Sequence, residues 1–176
     1  MKKAGKIAFG AMMSALSVCV MLGSHFPYLT YAIPAVAGLF IMVVVLELGT
    51  RWAWGSYAAS ALLTLMFAEP EAALFYVLLF GCYPIIKASI QRLKSPFLRF
   101  FIKACLFNAV VAAVYFVLLK LMGIDGGFGD LTLYAVLGIW VLANLVFFIY
   151  DAQIVKISNW YMIRFHDRVS KYLKNR

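Results

Sequence analysis

Apolar residues fill this chain in long blocks separated by short polar, proline- or glycine-containing stretches, and the blocks have the length of a membrane crossing. Runs at about 5–24, 31–49, 52–68, 72–92, 98–121 and 131–151 each approach the ~20 mainly apolar residues that a spanning α-helix needs. The third run is the shortest. Together the six use most of the chain, so the pattern predicts an all-α membrane protein with six transmembrane helices in one bundle, residues 1–155. Beyond that point the pattern changes. Ile154, Ile157, Tyr161, Phe165, Val169 and Tyr172 recur at helical spacing among Lys156, Arg164, Arg168, Lys171 and Lys174. Residues 156–176 therefore read as a basic, amphipathic C-terminal helix, lying on the inner membrane surface or docked on a partner subunit.

Composition supports lipid as the solvent. The chain is 65% hydrophobic and 13% charged, against about 45–50% and about 25% for a soluble globular chain. A net charge of +9 would suggest nucleic acid in a soluble protein, but its placement gives another meaning. With both termini in the cytoplasm and six spans, fifteen of the 16 Lys and Arg residues fall inside and Lys120 alone outside, which is the positive-inside bias. The excess thus orients the chain, attracts anionic membrane lipids, and leaves no call for nucleic acid. Glu69, Glu71, Asp125 and Asp130 fall outside and make the outer face acidic. The first run begins like a secretory signal, yet Gly23-Ser24 offers no small-x-small cleavage site, so it is expected to remain as a span. Cys19, Cys82 and Cys105 stand singly on three runs, without the spacing of a disulfide framework or a metal site.

The first run, "KIAFGAMMSALSV", is rich in small residues. On a helical wheel Ala4, Ala8, Ala11 and Ala15 fall within about 60° of one another, and Gly10, Ser14 and Ser17 form a second stripe about 110° away. Close approach through small residues is a main source of packing energy between helices in lipid. Both stripes can pack on the other spans, or one can meet a separate subunit. The six-run layout, the basic start, and Ala11-Met12-Met13-Ser14-Ala15 with its A-x-x-x-A spacing resemble the S component of energy-coupling factor (ECF) transporters. "AIPAVAGLFIMVVVLELG", in which Pro34 and Ala35 open the second run, is also similar to that family. The resemblance covers nearly the whole chain. It implies a multi-pass subunit of a bacterial plasma membrane that captures a vitamin or other micronutrient from outside. It also implies that the alanine face, Ala8, Ala11 and Ala15, contacts the transmembrane coupling subunit, with ATP-binding cassette ATPases as the motor.

On that resemblance, ligand sits under the outer loops. "GSHFPYLTY" supplies His25, Tyr28 and Tyr31, an aromatic set able to stack on a flat ring or to form an interfacial belt. "FAEPEAA" supplies Glu69 and Glu71, a paired anionic site or a solvated turn ahead of a helix N-terminus. "MGIDGGFGD" adds Asp125 and Asp130 on a glycine-rich loop, a lid or a slack connector, and Tyr76 and Tyr134 stand near the outer ends of the fourth and sixth runs. Four outer carboxylates and several tyrosines suit a cationic or neutral ring compound better than an anion.

Deeper polar residues are few. Asn108 and Asn144 lie at similar depth and are expected to hydrogen-bond each other; Glu47 and Arg51 have the i, i+4 spacing of a local ion pair; Asp151 is expected at the interface; and Pro84 is expected to kink the fourth helix. Enzyme motifs are absent: there is no H-E-x-x-H, G-x-S-x-G or P-loop, and His25 and His166 fall on opposite sides of the membrane. No catalytic residue, metal site or cofactor is therefore assigned. The competing class is a non-transport membrane scaffold or assembly subunit, which would have no ligand pocket.

Overall fold

Proline and glycine set most of the helix ends. In the computed structural model, which describes residues 3–26, 29–120, 133–166 and 169, α1 covers Lys3–Met21 and tightens into a 3-10 turn at Leu22–His25. Phe26, which precedes a proline in the sequence, is extended at φ −81° and ψ 125°, the region that X-Pro sterics favour. Helix α2, Ala32–Leu48, carries Pro34 in its first turn, where a missing N–H costs nothing, and ends at Gly49. Gly49 has φ +86°, a conformation open to glycine, and it alone separates α2 from α3, Thr50–Phe67. Glu69 is extended ahead of Pro70, which opens α4, Pro70–Phe75. Helix α6, Pro96–Lys120, starts behind Ser95, whose Oγ accepts the Leu98 N–H at 3.4 Å as a cap.

The predicted kink near Pro84 takes a definite form. Between α4 and α5, Tyr83–Ile90, the chain runs through a π-helical turn at Tyr76–Phe80. The Gly81 N–H reaches back five residues to the Tyr76 carbonyl at 2.8 Å. Pro84 has no N–H to offer the Phe80 carbonyl, and the chain answers by widening the preceding turn. The Tyr57 hydroxyl donates to the Val77 carbonyl within that turn. A Cβ at Gly81 would stand 2.8 Å from the Tyr57 ring, so only glycine lets the two segments approach this closely.

Four helices are long and apolar enough to cross a membrane: Lys3–His25, Pro70–Ile90, Pro96–Val117 and Tyr134–Arg164. They mark a membrane-associated protein. Ala32–Leu48 is apolar but shorter, and α3 is diluted by Arg51, Ser56, Ser60 and Thr64. No strand occurs among the described residues.

The chain forms two compact units. Unit 1 comprises residues 1–92 with 154–176, and unit 2 comprises residues 93–153. In unit 1, α1 packs on α2 and α3. Met21, Ala37, Ala72 and Tyr76 form one buried cluster, and Ile41, Val44, Ala53 and Ile85 form another. Gly10, Ser14 and Ser17 face inward, and Ser14 Oγ lies 2.9 Å from the Ser56 carbonyl. Unit 2 is a helical hairpin of α6 and the first part of α7, Leu133–Arg164, held by stacked Phe107–Phe147 and Phe100–Phe148 rings at 4.5 and 4.6 Å. Helix α7 runs unbroken over Leu133–Arg164, so the tail expected from 156 begins inside it.

Two expectations about charge resolve differently. Asp151 pairs with Lys103 at 2.7 Å, across α6 and α7. Glu47 does not turn to Arg51, which is exposed. Its carboxylate meets His166 Nδ1 at 3.0 Å, because the end of α7 lies against α2 and offers a partner that also covers the carboxylate.

Candidate functional site

The connections α1–α2 and α3–α4 meet at one end of unit 1. Thr30 Oγ1 donates to Glu69 Oε2 at 3.0 Å, the Glu69 N–H donates to Ser24 Oγ at 3.2 Å, and the Tyr31 hydroxyl makes a long 3.5 Å contact with Glu71 Oε2. Tyr31 also sets its ring edge-on to Phe75, 5.5 Å between centroids. Tyr31 of one loop and the Glu69 and Glu71 pair of another are brought together as one rim, with the carboxylates already serving as acceptors.

The other sequence-named positions fall elsewhere. His25 is exposed and its Nδ1 lies 3.1 Å from the Leu22 carbonyl. Tyr134 is 85% exposed at the start of α7. Tyr28, Asp125 and Asp130 lie outside the described residues. Tyr76 is fully buried beneath the rim.

Around Tyr76 lies a network that the sequence reading did not single out. The Tyr76 hydroxyl is 2.8 Å from Ser17 Oγ on α1 and 2.7 Å from Ser60 Oγ on α3. Ser17 also reaches the Ala37 carbonyl at 3.1 Å, and Ser60 the Tyr57 carbonyl at 3.0 Å. Three hydroxyl protons therefore serve four contacts, and one contact at any moment lacks a proton. Thr64 Oγ1, one turn beyond Ser60, is buried without a hydrogen-bond partner among the described residues. The signal was present in the spacing: Ser56, Ser60 and Thr64 recur every four residues on α3 and are buried, Ser56 against Gly10 and Ser14 of α1 and Ser60 linked to Ser17 through Tyr76.

The two stripes of α1 have different fates. The glycine and serine stripe is consumed internally, whereas Ala4, Ala8, Ala11 and Ala15 remain exposed.

Unit 2 holds its own cavity, about 430 Å³, lined by Phe107, Val111, Tyr115, Ile139 and Trp140 with Asn108 at its polar end. That volume lies in the ~300–1,000 Å³ range of small-ligand sites. Asn108 Nδ2 donates to Asn144 Oδ1 at 3.0 Å, as expected, and Trp140 Nε1 donates to Asn108 Oδ1 at 2.7 Å. Leucine at both 108 and 144, compared with each single change in an unfolding cycle, is expected to give a coupling of about 0.6–2 kcal/mol. Strict additivity would deny the pair any role in holding the hairpin.

No group of three or more His, Cys, Asp or Glu residues converges among the described residues. No protein-family model, curated protein or solved structure matches this chain.

Proposed function

We propose that this chain is the substrate-capture subunit of an ECF-type importer, working only when coupled to a separate ATP-hydrolysing module. The observation that carries the reading is the division of α1: Gly10, Ser14 and Ser17 are spent on α2 and α3, and the flat face of Ala8, Ala11 and Ala15 is left exposed. A leucine-covered face would serve lipid equally well, so exposed alanines favour a backbone-close neighbour. On this reading α2 and α3 are the two shorter spans of six, both termini are cytoplasmic, and the membrane is a bacterial plasma membrane. The ligand is a cationic or neutral ring compound, suited to the Tyr31, Glu69 and Glu71 rim or to the neutral cavity beside Asn108 and Trp140.

Co-expression with ECF coupling subunits, purification of the assembly and mass spectrometry of retained small molecules tests both halves. Ala11→Leu with Ala15→Leu leaves the fold intact, because leucine is at home in lipid. Overpacking of ~1–3 kcal/mol per site should nevertheless cut co-purification about tenfold or more. Undiminished assembly would reject the docking face. The scaffold reading draws on the prior engagement of Glu69 by Thr30 and on the burial of Tyr76. A partner retained without any small molecule would favour it.

A further inference from the structure

The hairpin of unit 2 closes tightly at one end and leaves a space at the other. Stacked Phe100–Phe148 and Phe107–Phe147 rings make the closed end, and the Asn108–Asn144 hydrogen bond marks where it stops. Beyond that bond, Val111 and Tyr115 on α6 and Val136, Trp140 and Ala143 on α7 line the cavity of about 430 Å³, each set spaced as one helix face.

The lining decides what can fill that space. It contains no charged residue, whereas an ion within a membrane span needs an opposite charge; Lys103 and Asp151, on the same two helices, are paired with each other. Asn108 and Trp140 have no hydrogen left to give. Asn108 Nδ2 donates to the Ala104 carbonyl at 2.8 Å and to Asn144 Oδ1 at 3.0 Å, and Trp140 Nε1 donates to Asn108 Oδ1 at 2.7 Å. Water, which needs about 2–4 polar partners to be held, meets one phenol, committed groups and otherwise apolar walls. Both helices are apolar enough to cross a membrane, so hydrocarbon is the medium that supplies an occupant.

The aromatic residues narrow the choice further. Phe107, Tyr115 and Trp140 present three rings to the cavity. A tryptophan that only anchors a helix sits at headgroup level, but Trp140 stands seven residues after Leu133, ~10 Å along the axis of α7, and gives its N–H to Asn108. The bond holds the indole as a wall while half of its surface stays open, at 50% exposure. A ring placed there gains offset or edge-on contacts beyond its buried area. A lipid tail gains none of these.

We propose that this cavity binds a neutral, lipid-soluble compound built on a planar aromatic ring, entering from the bilayer rather than from water. The inference rests on the neutral-ring part of the ligand reading above and assigns it to unit 2; it does not depend on docking through α1.

The test uses the full chain in phosphatidylcholine nanodiscs, irradiated with benzophenone, a neutral photoreactive aromatic ketone, or in parallel with phosphatidylcholine carrying a diazirine in its acyl chain. Adducts are mapped by peptide mass spectrometry. Benzophenone adducts on residues 107–115 and 136–143 should exceed those on the exposed apolar residues Leu62, Leu65 and Met66 of α3 by about fivefold or more, saturate, and be displaced by anthracene. The acyl diazirine should label both regions to within about twofold. Ala112→Leu, which grows into the cavity from α6, should remove the benzophenone excess. Ala143→Leu, from α7, is the deciding variant if Ala112→Leu does not fold. The proposal is overturned if benzophenone shows no excess or if a folded filling variant keeps it. It is equally overturned if the acyl diazirine shows the same excess and anthracene displaces neither probe, which makes the space a seat for lipid tails. Failure here leaves docking through α1 standing, and Ala11→Leu with Ala15→Leu, which tests that docking, should leave the adduct map unchanged.

Discussion

Alanine in place of Tyr76 is expected to cost unit 1 about 3–5 kcal/mol, the range for deleting a buried aromatic ring. Tyr76 is fully buried among Met21, Ala37 and Ala72, and its hydroxyl joins Ser17 of α1 to Ser60 of α3. Between helices in lipid, close packing carries most of the association energy, so a ring-sized void at this junction forfeits contacts that hydrocarbon outside cannot replace. Tyr76→Phe separates the two contributions. The ring stays, Ser17 still reaches the Ala37 carbonyl and Ser60 the Tyr57 carbonyl, and the loss is that of one shared hydroxyl, about 1 kcal/mol. Denaturant unfolding in detergent, followed by helical circular dichroism, should rank wild type, phenylalanine and alanine in that order, with the larger step between the last two. Equal stability of the two variants would show that the ring fills no space that matters.

The helices were legible because their punctuation is local. Each of the six apolar runs is helical among the described residues, and Gly49, Pro70 and Pro96 mark ends that can be read one residue at a time. The Asn108–Asn144 bond was legible for a similar reason: two consecutive segments of known length bring residues of equal depth together. Tyr76 was not legible as a core residue. In a helix apolar on every side, periodicity no longer distinguishes the buried face from the one in lipid, and a tyrosine near a helix end fits the interface as well as the interior. The placement of Ser17 and Ser60 around it depends on which helix neighbours which, and hydropathy carries no information on that. The division of the chain at residues 92 and 153 left no mark in composition either, since α7 crosses the second boundary without a break.

Glu47 and His166 are 119 residues apart in sequence, and no local spacing announces their pairing. Its removal is the second large effect expected. The Glu47 side chain is 2% exposed and that of His166 35%, so His166→Ala leaves a buried carboxyl group without its partner. Breaking a fully buried pair costs about 3–5 kcal/mol. The solvent-facing imidazole lowers that to about 2 kcal/mol, since screened partners contribute less. The cost should appear as local opening, because the pair fastens only the last turns of α7, where Tyr161 and Phe165 stack at 6.0 Å, and weakly held ends open below the global unfolding energy. Hydrogen exchange of the amides between Ile154 and His166 should quicken by about 30-fold, the population shift that ~2 kcal/mol produces, with α1 unaffected. Adding Glu47→Leu to His166→Ala should restore protection, because an apolar pair buries no orphaned charge. If the double variant opens as readily as the single one, the imidazole holds α7 by its bulk rather than by its bond to the carboxylate.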